Sequence, residues 1–407
     1  MKLSCIVTTR NRREEILRTI EHLEQRGVLP EDREILVVDN GSTDGTAQAL
    51  SRRRGVQVFS LAENEGVPAR NIALTHARGK YVAFLGDDVR PMGRAVPEAL
   101  TYLSRRPKTA AVVGRIVSAD GSADAPALPA VLMGGASIVR KSVLDQVGGF
   151  ASEFFRQAAD YELSFRIWRA GYSIQRFEDL LFAREAPSDE RTCEIVCRMD
   201  LRNNLILCER YLPRPLRHAY RRDWMKRYSM LSREDGHAQA ANVAVKEARI
   251  WARREAAVGR RPLGPEAIES IFQLRAQGEA VASWAKANKV RRVWIADWGK
   301  NLYATWQACV SAGLSVEAVL ENDRAFAGAR YRTVPIMNDA AAVSGGIEGI
   351  LVSTLNPGQV DGRVAELQAR FGLPVLRLWT PSRITVPPPT TLAGESGTTR
   401  RSIDRAA

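Results

Sequence analysis

Histidine and cysteine are scarce in this chain: 4 histidines and 5 cysteines among 407 residues. No two of them fall at the paired spacing of a zinc site or a disulfide framework. Cys193 and Cys197 would share one helix face, but no histidine neighbours them, and buried thiols are the expected reading. Long apolar runs are missing too. The longest candidate, near Val131–Val139, is broken by glycines and stops far short of the ~20 residues that span a bilayer. Met1-Lys2-Leu3 leads straight into a strand-like run without a signal-peptide layout. A disulfide scaffold, a zinc module and a membrane-spanning protein are therefore disfavoured, and a reduced, cytoplasmic protein is expected.

Acidic residues are the minority charge, 46 Asp and Glu against 59 Lys and Arg, for a net charge of +13. At 45% hydrophobic and 26% charged the composition is that of a globular protein, and the length calls for more than one core. The basic excess is uneven: residues 191–262 hold 17 Lys and Arg against 8 Asp and Glu. Such a field attracts nucleic acid, anionic lipid or an acidic substrate. No nucleic-acid-binding motif accompanies it, so no nucleic-acid partner is expected. Tyr220, Trp224, Tyr228 and Met230 interleave with Arg221, Arg222, Lys226 and Arg227. That mixture suits peripheral contact with an anionic membrane, on its inner face. Helices packed on a neighbouring domain with a solvated basic side explain it equally well.

What is present in quantity is a strand–helix rhythm. Residues 2–8 read as a strand, and Glu14 to Gln25 carries helical apolar spacing at Ile16, Leu17, Ile20 and Leu23. Residues 34–38 form a second buried strand, 56–61 a third and 81–85 a fourth, with polar turns and helices between them. Four repeats of this kind imply a parallel α/β sheet. Strands one, two and four each end in polar residues, which the rhythm gathers along one rim: Thr9 and Arg10, then Asp39, then Asp87 and Asp88. Ligands bind at the carboxyl ends of such strands. Hard divalent cations take carboxylate and phosphate oxygens. The adjacent aspartates thus suit a metal held against a nucleotide diphosphate; solvated aspartates at a strand-to-turn junction are the plainer reading of that stretch alone.

Four segments together carry a resemblance: Ile6-Val7-Thr8-Thr9-Arg10-Asn11-Arg12, Val37-Val38-Asp39-Asn40-Gly41-Ser42-Thr43-Asp44-Gly45-Thr46, Asn64-Glu65-Gly66 with Arg70-Asn71, and Phe84-Leu85-Gly86-Asp87-Asp88. In this order and spacing they resemble the nucleotide-binding half of the family 2 glycosyltransferases, which have the GT-A fold. The resemblance implies that Thr9, Arg10, Asp39 and Arg70 bind the donor nucleotide. It also implies that Asp88 and Asp87 bind Mg²⁺ or Mn²⁺, with Asp88 the leading ligand because Gly86 stands at the first motif position. Asp44 is expected to cap the following helix. Leu132 to Lys141 resembles the family's segment below the acceptor, where Gly134 and Gly135 allow close approach of a sugar. Ala158-Ala159-Asp160-Tyr161-Glu162-Leu163-Ser164-Phe165-Arg166 resembles the helix whose aspartate is the catalytic base, here Asp160. An aspartate in the first turn of a helix also serves as a cap. No histidine lies between His76 and His218 to complete a metal shell, which leaves Glu185 as a substitute candidate.

The implied activity is an inverting, single-displacement transfer of a sugar from a UDP- or dTDP-sugar donor to a hydroxyl of a glycan or lipid-linked acceptor. A nucleotidyltransferase-like enzyme and a non-catalytic nucleotide-sugar-binding protein are the alternatives. The first lacks its glycine-rich phosphate loop after strand one; the second is suggested by Gly86, Ala159 and the missing histidine.

Residues 290–379 restart the βαβ rhythm and resemble a small Rossmann-like domain appended to bacterial sugar enzymes. The first turn, Asp297-Trp298-Gly299-Lys300-Asn301, lacks the Gly-x-Gly-x-x-Gly fingerprint. A regulatory, docking or oligomerising role is therefore expected. Asp323 is the residue that could meet a ribose, or simply shape a turn. The expected layout is a GT-A α/β domain over 1–190, a basic helical connector over 191–285, a Rossmann-like α/β domain over 286–380 and a disordered tail over 381–407. Residues 119–130 read as a lid near the acceptor or a plain surface loop.

Overall fold

The structure, a computed structural model, describes residues 1–119, 121, 123–124, 127–185, 193–354, 357–378 and 382–384. In the first unit β1 (Leu3–Thr9), α1 (Arg13–Glu24), β2 (Arg33–Asp39), α2 (Thr46–Ser51), β3 (Val56–Ser60), α3 (Arg70–His76) and β4 (Tyr81–Gly86) follow the expected alternation. Then come β5 (Val89–Pro91), α4 (Ala95–Ser104), β6 (Thr109–Ser118), β7 (Ala123–Asp124), β8 (Ala136–Arg140), α5 (Lys141–Val147), α6 (Ala159–Arg169) and β9 (Ser173–Arg184). The sheet order is β3-β2-β1-β4-β8-β6-β9-β5, with β7 against β6. Strands β1 to β4 are parallel, and β8 is antiparallel to both β4 and β6. A four-strand parallel half joined through a reversed strand is the GT-A arrangement.

The register explains the rim. Thr9 pairs with Asp39, and Thr8 with Gly86, so the polar ends of β1, β2 and β4 finish at one level. The strands themselves are apolar on both faces because helices cover both. On one face Ile16, Ile20 and Leu23 of α1 and Leu100 and Leu103 of α4 pack with Val7, Val37 and Leu85. On the other, Leu163 and Phe165 of α6 join Ile6, Val38 and Phe84.

Five helices follow: α7 (Glu194–Tyr211), α8 (Arg214–Glu234), α9 (Ala238–Val258), α10 (Pro265–Phe272) and α11 (Leu274–Asn288). Leu201, Leu205, Tyr211, Tyr220 and Trp224 belong to the same cluster as α6, so this helical region shares a core with the first sheet. Tyr220, Trp224 and Tyr228 are 0%, 1% and 5% exposed. The expectation that they present an aromatic face to a membrane is thereby corrected: burying rings against protein removes more apolar surface from water than leaving them on a rim. Tyr220 Oη donates to Asn301 at 2.7 Å and Trp224 Nε1 to the Lys300 carbonyl at 2.8 Å. Among the described residues no helix is long and apolar enough to cross a membrane.

A second sheet is built from β10 (Arg292–Ala296), α12 (Leu302–Ser311), β11 (Ser315–Leu320), β12 (Arg330–Tyr331), β13 (Val334–Met337), β14 (Gly349–Val352), α13 (Pro357–Phe371) and β15 (Val375–Arg377), in the order β12-β13-β11-β10-β14-β15. The expected tail lies outside the described residues from 385 onward. Its first residues are held instead: Glu178 N–H donates to the Ser382 carbonyl at 3.0 Å, and Ile384 packs on the first sheet's core.

Candidate active site

The site begins with two turns sewn together at the rim. Asn11, in the left-handed region at φ 52°, accepts the Thr43 N–H at 2.7 Å. Asp44 accepts Arg13 N–H at 3.2 Å and Thr46 N–H at 3.1 Å, so it braces turns and does not face a ligand. Asn40 accepts Glu65 N–H at 2.8 Å and donates to Asn64 at 2.9 Å, fixing the segment that leads into α3. Gly66 is obligatory there: a Cβ would lie 2.0 Å from the Phe155 carbonyl. These contacts hold Asp39 at the base of the cleft, buried, with Ser42 N–H on its Oδ1 at 3.2 Å.

Asp87 and Asp88 are both 7% exposed. Thr9 Oγ1 donates to Asp87 Oδ2 at 2.8 Å, and Thr19 Oγ1 holds the Asp87 carbonyl at 2.6 Å. The Thr9 hydroxyl is thus engaged with Asp87, and Arg10 is exposed beside it. Arg12 Nη1 bridges the pair, 3.0 Å from Asp87 Oδ1 and 3.2 Å from Asp88 Oδ2. Arg184 Nε lies 3.6 Å from Asp88. Burial pushes the Asp87 carboxyl up to about 6, with Arg12 pulling it back and Asp88 adding to the rise. Glu185 is drawn away into ion pairs with Arg90 and, at 3.8 Å, with Arg18. The idea that Glu185 stands in as a metal ligand is thus corrected, because two arginines compete for its charge.

Across the cleft, Asp160 sits in the first turn of α6. Ser164 ties this helix to the facing loop, accepting Leu132 N–H at 2.8 Å. Arg70 Nη1 is 4.0 Å from Asp160 Oδ1, and Arg70 Nη2 donates to the Gly134 carbonyl at 2.7 Å. A Cβ on Gly134 would lie 2.9 Å from Asp160 Oδ2 and 3.1 Å from Arg70. Gly134 is therefore glycine because the carboxylate and guanidinium close over it, while Gly135 approaches Ile116 and Val89. Asp160 keeps 29% of its side-chain surface accessible. Burial raises its carboxyl above the usual range, against the attraction of Arg70 and a hydrogen bond from Gly134 N–H. Arg70 also feels the charge of Asp87, so the base candidate and the strand-end pair act on one buried guanidinium.

Residues 4–153 match the model of glycosyl transferase family 2. This part of the chain belongs to that family. A stretch of 93 residues is 36% identical to the poly(ribitol-phosphate) beta-N-acetylglucosaminyltransferase TarS of Staphylococcus aureus, covering 22% of this chain and 16% of TarS. The match thus spans only a small part of that relative's length. Among solved structures, S. aureus TarS 1–349 in complex with UDP-GlcNAc is similar over 77% of this chain and 93% of that one, at 17% identity and a TM-score of 0.48. The mannosyltransferase PcManGT from Pyrobaculum calidifontis, in complex with GDP-Man and Mn²⁺, is similar over 76% and 86%, at 18% identity and a TM-score of 0.41.

Within the family 2 domain, the donor set for a divalent cation is two adjacent carboxylates. Among the described residues no third His, Cys, Asp or Glu joins them in a cluster fit to hold a metal. Two carboxylates suit a hard cation that fills its shell with diphosphate oxygens and water. Asp88 Oδ1 is clear of the Arg12 and Arg184 contacts, which both fall on Oδ2. Several residues inside the matching segments have supporting partners that the sequence does not indicate. Arg12 lies inside the first motif, and its partners are 75 and 76 positions away. Asn71 pins Phe150 by a reciprocal pair of 2.8 Å hydrogen bonds. Glu162, buried beneath Asp160's helix, accepts Tyr211 Oη at 2.6 Å and Arg166 Nη2 at 2.7 Å.

Proposed function

We propose that this chain transfers a sugar from a nucleotide-diphospho-sugar donor, UDP- or dTDP-linked, to a hydroxyl of a glycan or lipid-linked acceptor, with inversion. The observation that carries the proposal is the buried Arg70, 4.0 Å from Asp160, bonded to the Gly134 carbonyl and within electrostatic reach of Asp87. Gly134 lets the Asp160 carboxylate and the Arg70 guanidinium close over its backbone. Asp39 accepts a hydrogen bond from an N–H of the donor's base, a role open to an ionised carboxylate. Asp160 takes the acceptor's proton as its oxygen attacks. A carboxyl raised by burial is a stronger base than a solvated one, and a positioned base contributes about 10²–10⁴-fold. Arg70 keeps that carboxylate aimed across the cleft. Asp88 and Asp87 would hold Mg²⁺ or Mn²⁺, which supplies Lewis-acid stabilisation of the departing diphosphate. Attack from the face opposite the leaving group inverts the anomeric centre.

The test is nucleotide release from a panel of UDP- and dTDP-sugars, with and without Mn²⁺, in the presence of candidate glycan acceptors. Metal-dependent release supports the reading. Tight binding of donors without any turnover across the panel would mean a nucleotide-sugar-binding protein instead.

A further inference from the structure

The second sheet carries a site that the glycosyl transfer reading does not use. Strand β10 is central, with β11 on one side and β14 on the other, so the chain reverses its direction of winding at the carboxyl end of β10. That crevice is where open α/β sheets bind ligands. A cavity of about 480 Å³ opens there, lined by Arg227 of α8, Asp297 and Trp298 after β10, Glu321 after β11, and Gly362 and Arg363 of α13. A second cavity of about 340 Å³ shares Glu321 and is lined on its far side by Phe326, Ile336 and Met337. Glu321 therefore stands between a polar and a largely apolar chamber.

The carboxylates at this junction are fixed and under-used. Glu321 Oε2 accepts Trp298 N–H at 2.7 Å and Oε1 accepts Asp323 N–H at 3.0 Å, which locks its orientation and leaves a lone pair on each oxygen. Asp297 adopts φ 71°, a strained value for a residue with a side chain. Its Oδ1 accepts Arg363 Nε at 3.0 Å, whereas Oδ2 is buried with no hydrogen-bond partner. That oxygen is closed off from solvent, which leaves Glu321 as the acceptor offered to both chambers. Arg363 is largely spent on Asp339, which it grips with both terminal nitrogens. Arg363 also reaches Glu366 at 3.0 Å, and Arg227 donates its Nε to the Trp298 carbonyl at 2.7 Å, so both cations on the cavity wall are engaged, and the turn has no glycine cradle for phosphates. Asp323, whose position after β11 made it the candidate to meet a ribose, caps the turn at Arg324–Phe326 through Ala325 N–H at 2.9 Å instead.

We propose that this junction binds a ribonucleoside: the ribose diol on Glu321 and the base in the chamber beside Phe326 and Met337. Hydroxyl donors suit a carboxylate already fixed as an acceptor, a flat ring suits the apolar chamber, and a turn without a glycine cradle disfavours a pyrophosphate.

Isothermal titration of the full chain with adenosine, uridine, their 2′-deoxy forms and NAD⁺ tests it. Adenosine or uridine is expected to bind, with its 2′-deoxy form at least tenfold weaker and NAD⁺ no tighter. Glu321→Gln and Gly362→Phe should each weaken binding at least tenfold, whereas Asp39→Asn, in the first unit, should not. Position 362 lies inside α13 with open space around its Cα, so the phenyl ring fills the cavity without displacing the helix; an unchanged melting temperature verifies this. No binding of either nucleoside at millimolar concentration overturns the proposal. So does binding that survives both cavity variants, or that vanishes in Asp39→Asn. NAD⁺ binding more tightly than adenosine would make the junction a dinucleotide site and overturn it as well.

Discussion

The Arg12 guanidinium lies 3.0 Å from the Asp87 carboxylate, across 75 residues of sequence, and Asp88 shares the same nitrogen. Two buried carboxylates on neighbouring residues repel each other, and this arginine is their resident counter-ion. It also competes with any divalent cation for the same oxygens. Arg12→Ala should lower the donor-independent stability of the family 2 domain. In the same variant, added Mn²⁺ should raise the melting temperature by more than it does in wild type. Thermal melts across a metal titration read both effects; an equal metal response in the two proteins would remove Arg12 as a competitor.

The Asp87 carboxyl, raised to about 6, gives a pH dependence of defined sign. Its folded value lies above the ordinary 3.8 of an unfolded aspartate. The contribution to stability is therefore complete below about pH 4 and is lost as pH rises through about 6. The melting temperature of Asp87→Asn relative to wild type should move in the variant's favour between pH 4 and pH 7. Metal-supported transfer runs the other way, falling as Asp87 takes up its proton below about pH 6.

Asp160→Asn should lower transfer by about 10²–10⁴-fold while leaving nucleotide affinity within a factor of about two, if Asp160, 4.0 Å from Arg70, acts as proposed on the acceptor hydroxyl. Donor titration monitored alongside product formation separates these two quantities. Full transfer activity in the variant would exclude Asp160 as the base.

Glu162 ties α6 to α7 through Tyr211 and to its own helix through Arg166, at 1% exposure. Removing one member of such a buried charged network costs about 3–5 kcal/mol. Glu162→Ala should show a loss of unfolding free energy of that size in a denaturant melt and reduced transfer, since the helix it anchors carries Asp160. A loss below about 1 kcal/mol would mean that the network is dispensable.

Trp224, 1% exposed, packs between the first sheet's core and the turn that holds Lys300. Trp224→Ala should cost about 3–5 kcal/mol from the cavity it leaves. It should leave association with anionic vesicles unchanged, because a buried ring has no membrane to lose. Co-sedimentation and a chemical melt of the same sample measure both.

The sequence by itself determined the rim. Short apolar strands separated by helix-patterned segments point to a parallel sheet, and in a parallel sheet every strand end carrying Thr9, Asp39 or Asp88 falls on one edge. Asp160 in the first turn of its helix is singled out only through the resemblance of residues 158–166 to the family's helix. The tertiary structure alone decided the partners. That the Thr9 hydroxyl holds Asp87, whether Arg12 is solvated or bridges two aspartates, and that Glu185 pairs with two arginines depend on contacts across roughly 70 to 170 residues of chain. The aromatic–basic helix α8 shows the same limit. Its spacing is equally compatible with lipid and with protein, and only the second unit, packed against it through Asn301 and Lys300, selects between them. Local pattern fixes which face is apolar; what that face meets is a global competition for buried area.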